Sequence, residues 1–224
     1  MKNPAIAIRK IVKTEDHSYT LKLEHFDEQY HSIHGAINES THIFINSGLK
    51  VVNHDSISIL EIGFGTGLNA LLTYYYKGNK KIFYTGIEAF PLTEEEWTKL
   101  NYVDLIDPTL YNFYHKLHQS EENQLLEIGT DYYLKKINRR LEEISLQTLE
   151  YHLIYFDAFS PHTQPELWKE EIFEKMYQCM QTNGILITYC AKGSVKRALK
   201  NVGFEVEGLP GPVGKREITR CVKK

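Results

Sequence analysis

The sequence predicts a doubly wound α/β fold: a mostly parallel sheet with helices on both faces, its last strand reversed, and a small N-terminal extension. Three observations carry this. From about residue 56, apolar runs of strand length alternate with segments of helical periodicity. Three glycines, Gly63, Gly65 and Gly67, stand at alternate positions between the first of these strands and the helix after it. The last two strand-like runs, "FEVEG" and "REITRCV", are joined only by the Pro/Gly turn "LPGPVG", so they pair as a hairpin with one strand reversed.

Residues 1–55 do not fit the alternation. "AIAIRKIVKT" and "SYTLKLEHF" read as a small hairpin and "HGAINESTHIFINSGL" as a helix, an extension packed on the main sheet of residues 56–224. "SISILEI" is the first buried strand, and Leu68, Leu71, Leu72 and Tyr75 recur at helical spacing behind the glycines. "KIFYTGIE" is the second strand. Thr93 and Glu96 form a capping box, with Leu92 and Trp97 placed as a hydrophobic staple. "LLEI" at 125–128 reads as the third strand, followed by a charged helix over about 132–147, and "YHLIYF" is the fourth strand. Pro165 opens a helix with Trp168, Ile172, Phe173 and Met176 on one side, Trp168 being read as a core residue. "GILITYC" is the fifth strand, and "SVKRALKNV" is a helix that ends near Gly203.

The chain has 224 residues, 42% of them hydrophobic and 25% charged, enough for one sizeable core. It shows no run near the ~20 apolar residues that span a bilayer and no signal-peptide core, and no membrane association is expected. Cys179, Cys190 and Cys221 form no CxxC pair, which points to free thiols in a reducing cytoplasm. The ten histidines show no metal-ligand spacing; His31 and His34 stand close together without further ligands, so no metal is expected. No cysteine has the setting of a nucleophile.

The net charge is −3 but unevenly spread. From Cys190 onward nine bases, among them Lys192, Lys196, Arg197, Lys215 and Arg216, face three acids, and Lys2, Arg9, Lys10 and Lys13 open the chain. Basic ends on an acidic body suit a polyanion such as RNA held through its phosphates; solvated, merely charged termini suit them equally.

Ligands of such sheets bind beyond the carboxyl ends of the strands. Gly63, Gly65 and Gly67 let backbone approach a ligand there. The dinucleotide pattern G-x-G-x-x-G fails because Leu68 stands where its last glycine belongs, which disfavours a nicotinamide oxidoreductase. What stands is E-x-G-x-G-x-G from Glu61 to Gly67, a form suited to S-adenosyl-L-methionine, with Glu61 meeting the ammonium group directly or through water. Glu88 ends the second strand and can accept hydrogen bonds from both hydroxyls of an adenosine ribose. Asp131 follows the third strand and either faces the adenine or caps a helix. Asp157 closes the fourth strand beside the first, between cofactor and substrate, where a carboxylate can orient an amine and take its proton. Phe159 and Trp168 can wall the pocket or stack a base, Trp168 having the core as its other reading.

Five segments resemble a known family: "FDEQYHS", "GAINESTHIF", "EIGFGTGLN" with "IEAFPL", "DAFSPHTQPELW", and the run from "GILITYC" to "GPVGKRE". They are similar to the tRNA 5-methylaminomethyl-2-thiouridine methyltransferases, the methyltransferase module of MnmC and its free-standing MnmD form. The resemblance implies a Rossmann-like class I methyltransferase sheet. It also implies methyl transfer from S-adenosyl-L-methionine to the aminomethyl nitrogen of a C5-modified wobble uridine in the tRNA anticodon stem-loop, with separate enzymes supplying that precursor. A flavin oxidase module found in two-domain relatives is not expected here. The resemblance maps Glu61, Gly63, Gly65, Gly67, Asn69 and Glu88 as cofactor contacts, Asp157 as the active-site carboxylate, and Tyr30 and His31 as candidates at the pocket mouth. Two rivals keep the fold: an aminopropyltransferase, which also places an aspartate after the fourth strand, and a non-catalytic RNA-binding protein.

Overall fold

The computed structural model describes residues 8–24, 26 and 28–224. The beginning of the first predicted hairpin strand, residues 5–7, lies outside them, as do Lys2 and Asp27. β1 (Arg9–Lys13), β2 (Tyr19–Leu23) and β3 (Glu28–Gln29) form a three-stranded antiparallel sheet. α1 (Ala36–Ser40) runs on into a π-helical segment, Thr41–Asn46. Phe44 of that segment packs on Tyr155 with ring centroids 5.1 Å apart, so the extension covers one face of the main sheet.

The main sheet contains β4 (Ser56–Ile62), β5 (Lys81–Ile87), β6 (Leu126–Gly129), β7 (Tyr132–Ile137), β8 (Tyr151–Phe156), β9 (Met180–Thr188), β10 (Glu205–Pro210) and β11 (Glu217–Val222). Their order is β10-β11-β9-β8-β4-β5-β7-β6. β9, β8, β4, β5 and β7 are parallel, and β11 runs antiparallel to β9 and to β10. α2 (Leu68–Tyr76), α3 (Glu94–Trp97), α4 (Tyr102–Ile106) and α5 (Tyr111–Gln119) lie between β4 and β6 in sequence. α6 (Glu170–Cys179) precedes β9, and α7 (Gly193–Val202) follows it. The core has two layers: Phe44, Leu71, Tyr84 and Tyr155 on one face, and Leu60, Ile154, Phe156, Phe173 and Leu199 on the other. The expected capping box forms, the Thr93 N–H donating to Glu96 Oε2 at 2.8 Å. Trp168 is buried and donates its Nε1–H to the Phe159 carbonyl at 2.8 Å.

One region departs from expectation. The predicted charged helix over 132–147 is instead β7, followed by a single 3-10 turn at Leu141–Glu143. Tyr132 and Leu134 are both fully buried, two residues apart, so a strand period hides within a charged segment. β6 is an antiparallel edge strand hydrogen-bonded to β7, and the third parallel strand is β7. The helical connection precedes this pair.

Among the described residues no helix is long and apolar enough to cross a membrane. No group of three His, Cys, Asp or Glu converges there as a metal site. The three cysteines are buried free thiols.

Candidate active site

The carboxyl ends of β4, β5 and β8 open into a cavity of about 540 Å³, within the usual range for small-molecule sites. Gly63 leaves β4 with φ +86°, and a Cβ built on it would lie 2.5 Å from the Asp157 carbonyl oxygen. Only glycine lets the β4 and β8 loops touch here, because both sides of the contact are backbone. Gly65 lies under the Tyr30 ring, its Cβ position 3.1 Å from Tyr30 Cδ1. Gly67 does not line the cavity: a Cβ there would meet Leu117 Cδ2 of α5 at 2.4 Å. The third glycine therefore serves helix packing, which corrects its expected part as a cofactor contact.

Glu88 lies at the end of β5 with its carboxylate pinned. Oε2 accepts the Gly65 N–H and Oε1 accepts the Phe90 N–H, both at 2.9 Å. Each oxygen keeps a lone pair for a further donor, as two adjacent hydroxyls require.

Glu61 is fully buried behind this wall and does not reach the cavity. Its Oε2 accepts the Tyr84 hydroxyl and its Oε1 accepts Asn69 Nδ2, both at 2.8 Å. Asn69 Nδ2 also donates to Asp157 Oδ2 at 2.9 Å, so one amide bridges two carboxyls. Burial pushes Glu61 well above the usual carboxylate range, and the Asp157 charge adds to the shift. Burial likewise raises Asp157 well above its ordinary value; Asn69 opposes the shift and the Glu39 charge reinforces it. Glu61 was expected to meet the ligand directly or through water; its carboxyl stands behind Asn69, and Asn69, not Glu61, lines the cavity.

The extension supplies a wall. Tyr30 and Phe159 meet edge to face at 5.0 Å. His31 Nδ1 lies 3.0 Å from Thr20 Oγ1, and burial pushes its pKa down to about 4, so it is neutral near pH 7. Glu28 Oε2 accepts the Ser160 and Thr163 hydroxyls, both at 2.6 Å, tying β3 to the Asp157 loop. Arg9 reaches the other side, donating to the Phe90 carbonyl at 2.7 Å and pairing with Glu96 at 2.9 Å. The wall is completed by Tyr189 and Lys215, the Lys215 ammonium lying 4.7 Å over the Tyr189 ring.

Asp157, Gly63, Gly65, Asn69, Glu88, Tyr30, His31, Phe159 and Lys215 come together in this one cavity. Asp131 does not. It occupies the tight turn between β6 and β7 with φ +53°, and its carbonyl accepts the Ile82 N–H at the start of β5. It therefore sits at the amino end of the parallel strands, opposite Glu88, because β7 rather than β6 is the third parallel strand. Lys192, Lys196, Arg197 and Arg216 also lie outside the cavity lining, and Lys196 pairs with Glu217 at 2.8 Å. Lys192, Arg197 and Arg216 are exposed and form no ion pair among the described residues. Sequence reasoning missed Glu28, Glu39, Ser40, Arg139 and Arg140 in the lining. The quoted "GAINESTHIF" contained the Glu39–Ser40 signal, whereas the false helix over 132–147 hid the two arginines.

The residues present fit S-adenosyl-L-methionine. Gly63 and Gly65 expose backbone at the cavity, Glu88 offers paired acceptor positions, and Asn69 Oδ1 is buried in the lining without a hydrogen-bond partner. Comparison with known proteins agrees. A family model described as S-adenosyl-L-methionine-dependent methyltransferase matches residues 102–224. The tRNA 5-methylaminomethyl-2-thiouridine biosynthesis bifunctional protein MnmC of Idiomarina loihiensis is 30% identical over 216 residues, 86% of this chain and 35% of that protein. Its counterpart in Leptospira interrogans is 30% identical over 213 residues, 87% of this chain and 32% of that protein. The chain thus spans about a third of the length of these curated relatives. The crystal structure of MNMC2 from Aquifex aeolicus superposes with a TM-score of 0.76 at 26% identity, covering 99% of this chain and 72% of that one. Spermidine synthase from Thermotoga maritima superposes with a TM-score of 0.63 at 14% identity, covering 96% and 69%, and shows a shared fold alone. With this cavity, this fold and a family model covering more than half of its length, the chain belongs to the S-adenosyl-L-methionine-dependent methyltransferase family.

Proposed function

We propose that this enzyme methylates the aminomethyl nitrogen on C5 of a modified wobble uridine in tRNA. The observation that carries the reading is Asp157: a carboxyl held by Asn69 in the same cavity as the glycine loop and Glu88, in a chain 30% identical to MnmC proteins over most of its length. Bound S-adenosyl-L-methionine supplies an electrophilic methyl on a sulfonium and leaves as the neutral thioether. Gly63, Gly65 and Asn69 hold the donor, and Glu88 takes its ribose. Asp157 accepts an N–H of the acceptor amine and aims the lone pair at the methyl carbon. Such positioning is the main source of rate in a displacement of this kind. As the N–C bond forms, the amine proton passes to Asp157 or to water. Tyr30, His31 and Phe159 wall the acceptor side; a neutral His31 adds no repulsion toward an ammonium substrate.

The rest of the proposal follows from this substrate. The tRNA anticodon stem-loop is the partner, held mainly through phosphates by Lys192, Arg197 and Arg216, with Lys196 and Lys215 bound up in ion pairs. Separate enzymes supply the aminomethyl group, and the setting is cytoplasmic. Residues 1–55 act as an extension that walls the site of a methyltransferase domain spanning 56–224.

The test combines the protein, methyl-labelled S-adenosyl-L-methionine, and tRNA from cells lacking this methylation. Label is expected only in tRNAs bearing aminomethyluridine. Equal labelling of unmodified tRNA would overturn the substrate, and an undiminished rate in Asp157→Asn would overturn the role of that carboxylate.

A further inference from the structure

Four residues that line the cavity, Arg9, Glu39, Ser40 and Asn69, each bury a polar side-chain atom that has no directed hydrogen bond among the described residues, Glu39 Oε1 meeting only the Lys215 ammonium as an ion pair. Unmatched buried polar atoms are costly, and a cluster of them in one cavity marks where a ligand completes the bonding. Two of them, Glu39 Oε1 and Ser40 Oγ, belong to consecutive residues of α1, and neither is among the donor-binding residues described above.

Glu39 is 8% exposed. Its Oε2 accepts the Ser32 N–H at 2.7 Å, which fixes the carboxylate and leaves Oε1 facing Lys215 Nζ at 2.9 Å without a directed hydrogen bond. Lys215 is itself held in place. Its N–H donates to the Pro212 carbonyl at 2.9 Å, and Gly214 beside it packs so closely on His34 that a Cβ would come within 2.2 Å of the imidazole. The result is one acceptor and one ammonium donor side by side, on rigid supports, in the cavity that holds Asp157. Both charges are near enough to act on Asp157, Glu39 raising its pKa and Lys215 lowering it.

Around a uracil ring the C5 substituent, O4 and N3–H follow one another along one edge. An amine on C5 held at Asp157 therefore presents an acceptor and then a donor further along the same wall. We propose that Glu39 and Lys215 form a base-edge subsite that selects uracil, Lys215 donating to O4 and Glu39 Oε1 accepting N3–H. The proposal rests on the tRNA wobble-uridine reading above. Cytosine presents the reverse pattern, an amino donor at C4 and an acceptor at N3, and meets a mismatch at both positions. Sites built around a substrate N–H reject analogues lacking it because the buried partner is then left unpaired.

The test uses the full chain and three anticodon stem-loop RNAs bearing 5-aminomethyluridine, its N3-methyl derivative, or 5-aminomethylcytidine. The wild-type protein is expected to show a kcat/KM at least about tenfold higher for the first than for either of the others. In Glu39→Gln one oxygen still serves Ser32 and an amino group faces the cavity, so the uridine-over-cytidine ratio is expected to fall toward one or below. A structural ion pair would lower all three rates together and leave that ratio unchanged. Should Glu39→Gln not fold, Lys215→Met reads the other contact: the uridine-over-cytidine preference drops, while the penalty for N3-methylation persists. Wild-type protein that methylates all three RNAs equally overturns the subsite and leaves the functional reading standing; wild-type protein that methylates none overturns both.

Discussion

On its glycine-loop side the cavity is walled by one continuous stretch, residues 62–90, in which backbone amides and left-handed turns form the surface. The rest of its lining is side chains from separated segments: Arg9, residues 22–44, 139–142 and 157–167, Tyr189, and residues 214–215. The first wall is a single β–loop–helix–β unit whose shape follows from local sequence. The second exists only once the extension, the loop after β8 and the hairpin after α7 have been brought together. A local wall tolerates little change in backbone geometry. A composite wall makes specificity depend on individual side chains, each replaceable.

The largest expected effect breaks the composite wall at its centre. Asp157→Asn keeps the shape and the Asn69 contact but removes the proton acceptor, and kcat is expected to fall by about 10²–10⁴-fold in the labelled-methyl assay. A fall confined to KM would make Asp157 a binding group only. Next, Gly63→Ala strikes the local wall, where backbone meets backbone. A left-handed φ of +86° and the 2.5 Å approach to the Asp157 carbonyl give the new methyl no room. A loss of roughly 2–3 kcal/mol in denaturant unfolding is expected, together with weaker donor binding.

Glu61 joins the two walls through Asn69, so its protonation state bears on both. Burial raises its pKa in the folded chain, so between the ordinary carboxylate range and the raised value the folded state binds the proton that the unfolded chain has released. Its contribution to stability is then full at low pH and is lost as pH rises through the raised value. Glu61→Gln cannot ionise, so its stability relative to the wild type should improve as pH rises above the ordinary carboxylate range. Taking the difference cancels the opposite trend from buried His31, which disfavours the folded state as pH falls toward about 4. A difference flat in pH would mean that Glu61 is ionised in both states. The smallest effect lies outside both walls. Replacing Lys192, Arg197 and Arg216 by alanine should leave turnover of saturating substrate unchanged and reduce the slope of log affinity for tRNA against log salt by about 1–3.

The glycine loop, Glu88 and Asp157 were legible because a strand end followed by such a loop has few geometries, and an acid closing a neighbouring parallel strand must face the same crevice. Asp131 was misplaced through one local ambiguity. "YYLKKINRR" carries enough charge to imitate a surface helix, and only the pairing of Ile82 with Tyr132 shows that Tyr132 and Leu134 lie on one buried face of a strand. The same error concealed Arg139 and Arg140 at the cavity edge. The basic C-terminal run was legible as a count of charges but not as a surface, because pairing with Glu217, Glu39, Glu207 and Glu205 depends on where the sheet puts those partners.

Local pattern was enough for the order of strands and helices outside residues 125–147, the reversed final strand, the glycine loop after β4, and the carboxylate at the end of β8. These follow from periodicity and from backbone sterics, which act over a few residues. It took the packing of distant segments to put Asn69 in front of Glu61, Gly67 against Leu117, and Glu39 beside Lys215 across 176 positions of chain. Those outcomes depend on which buried groups find partners once distant segments close on one another, and no local pattern encodes that distance.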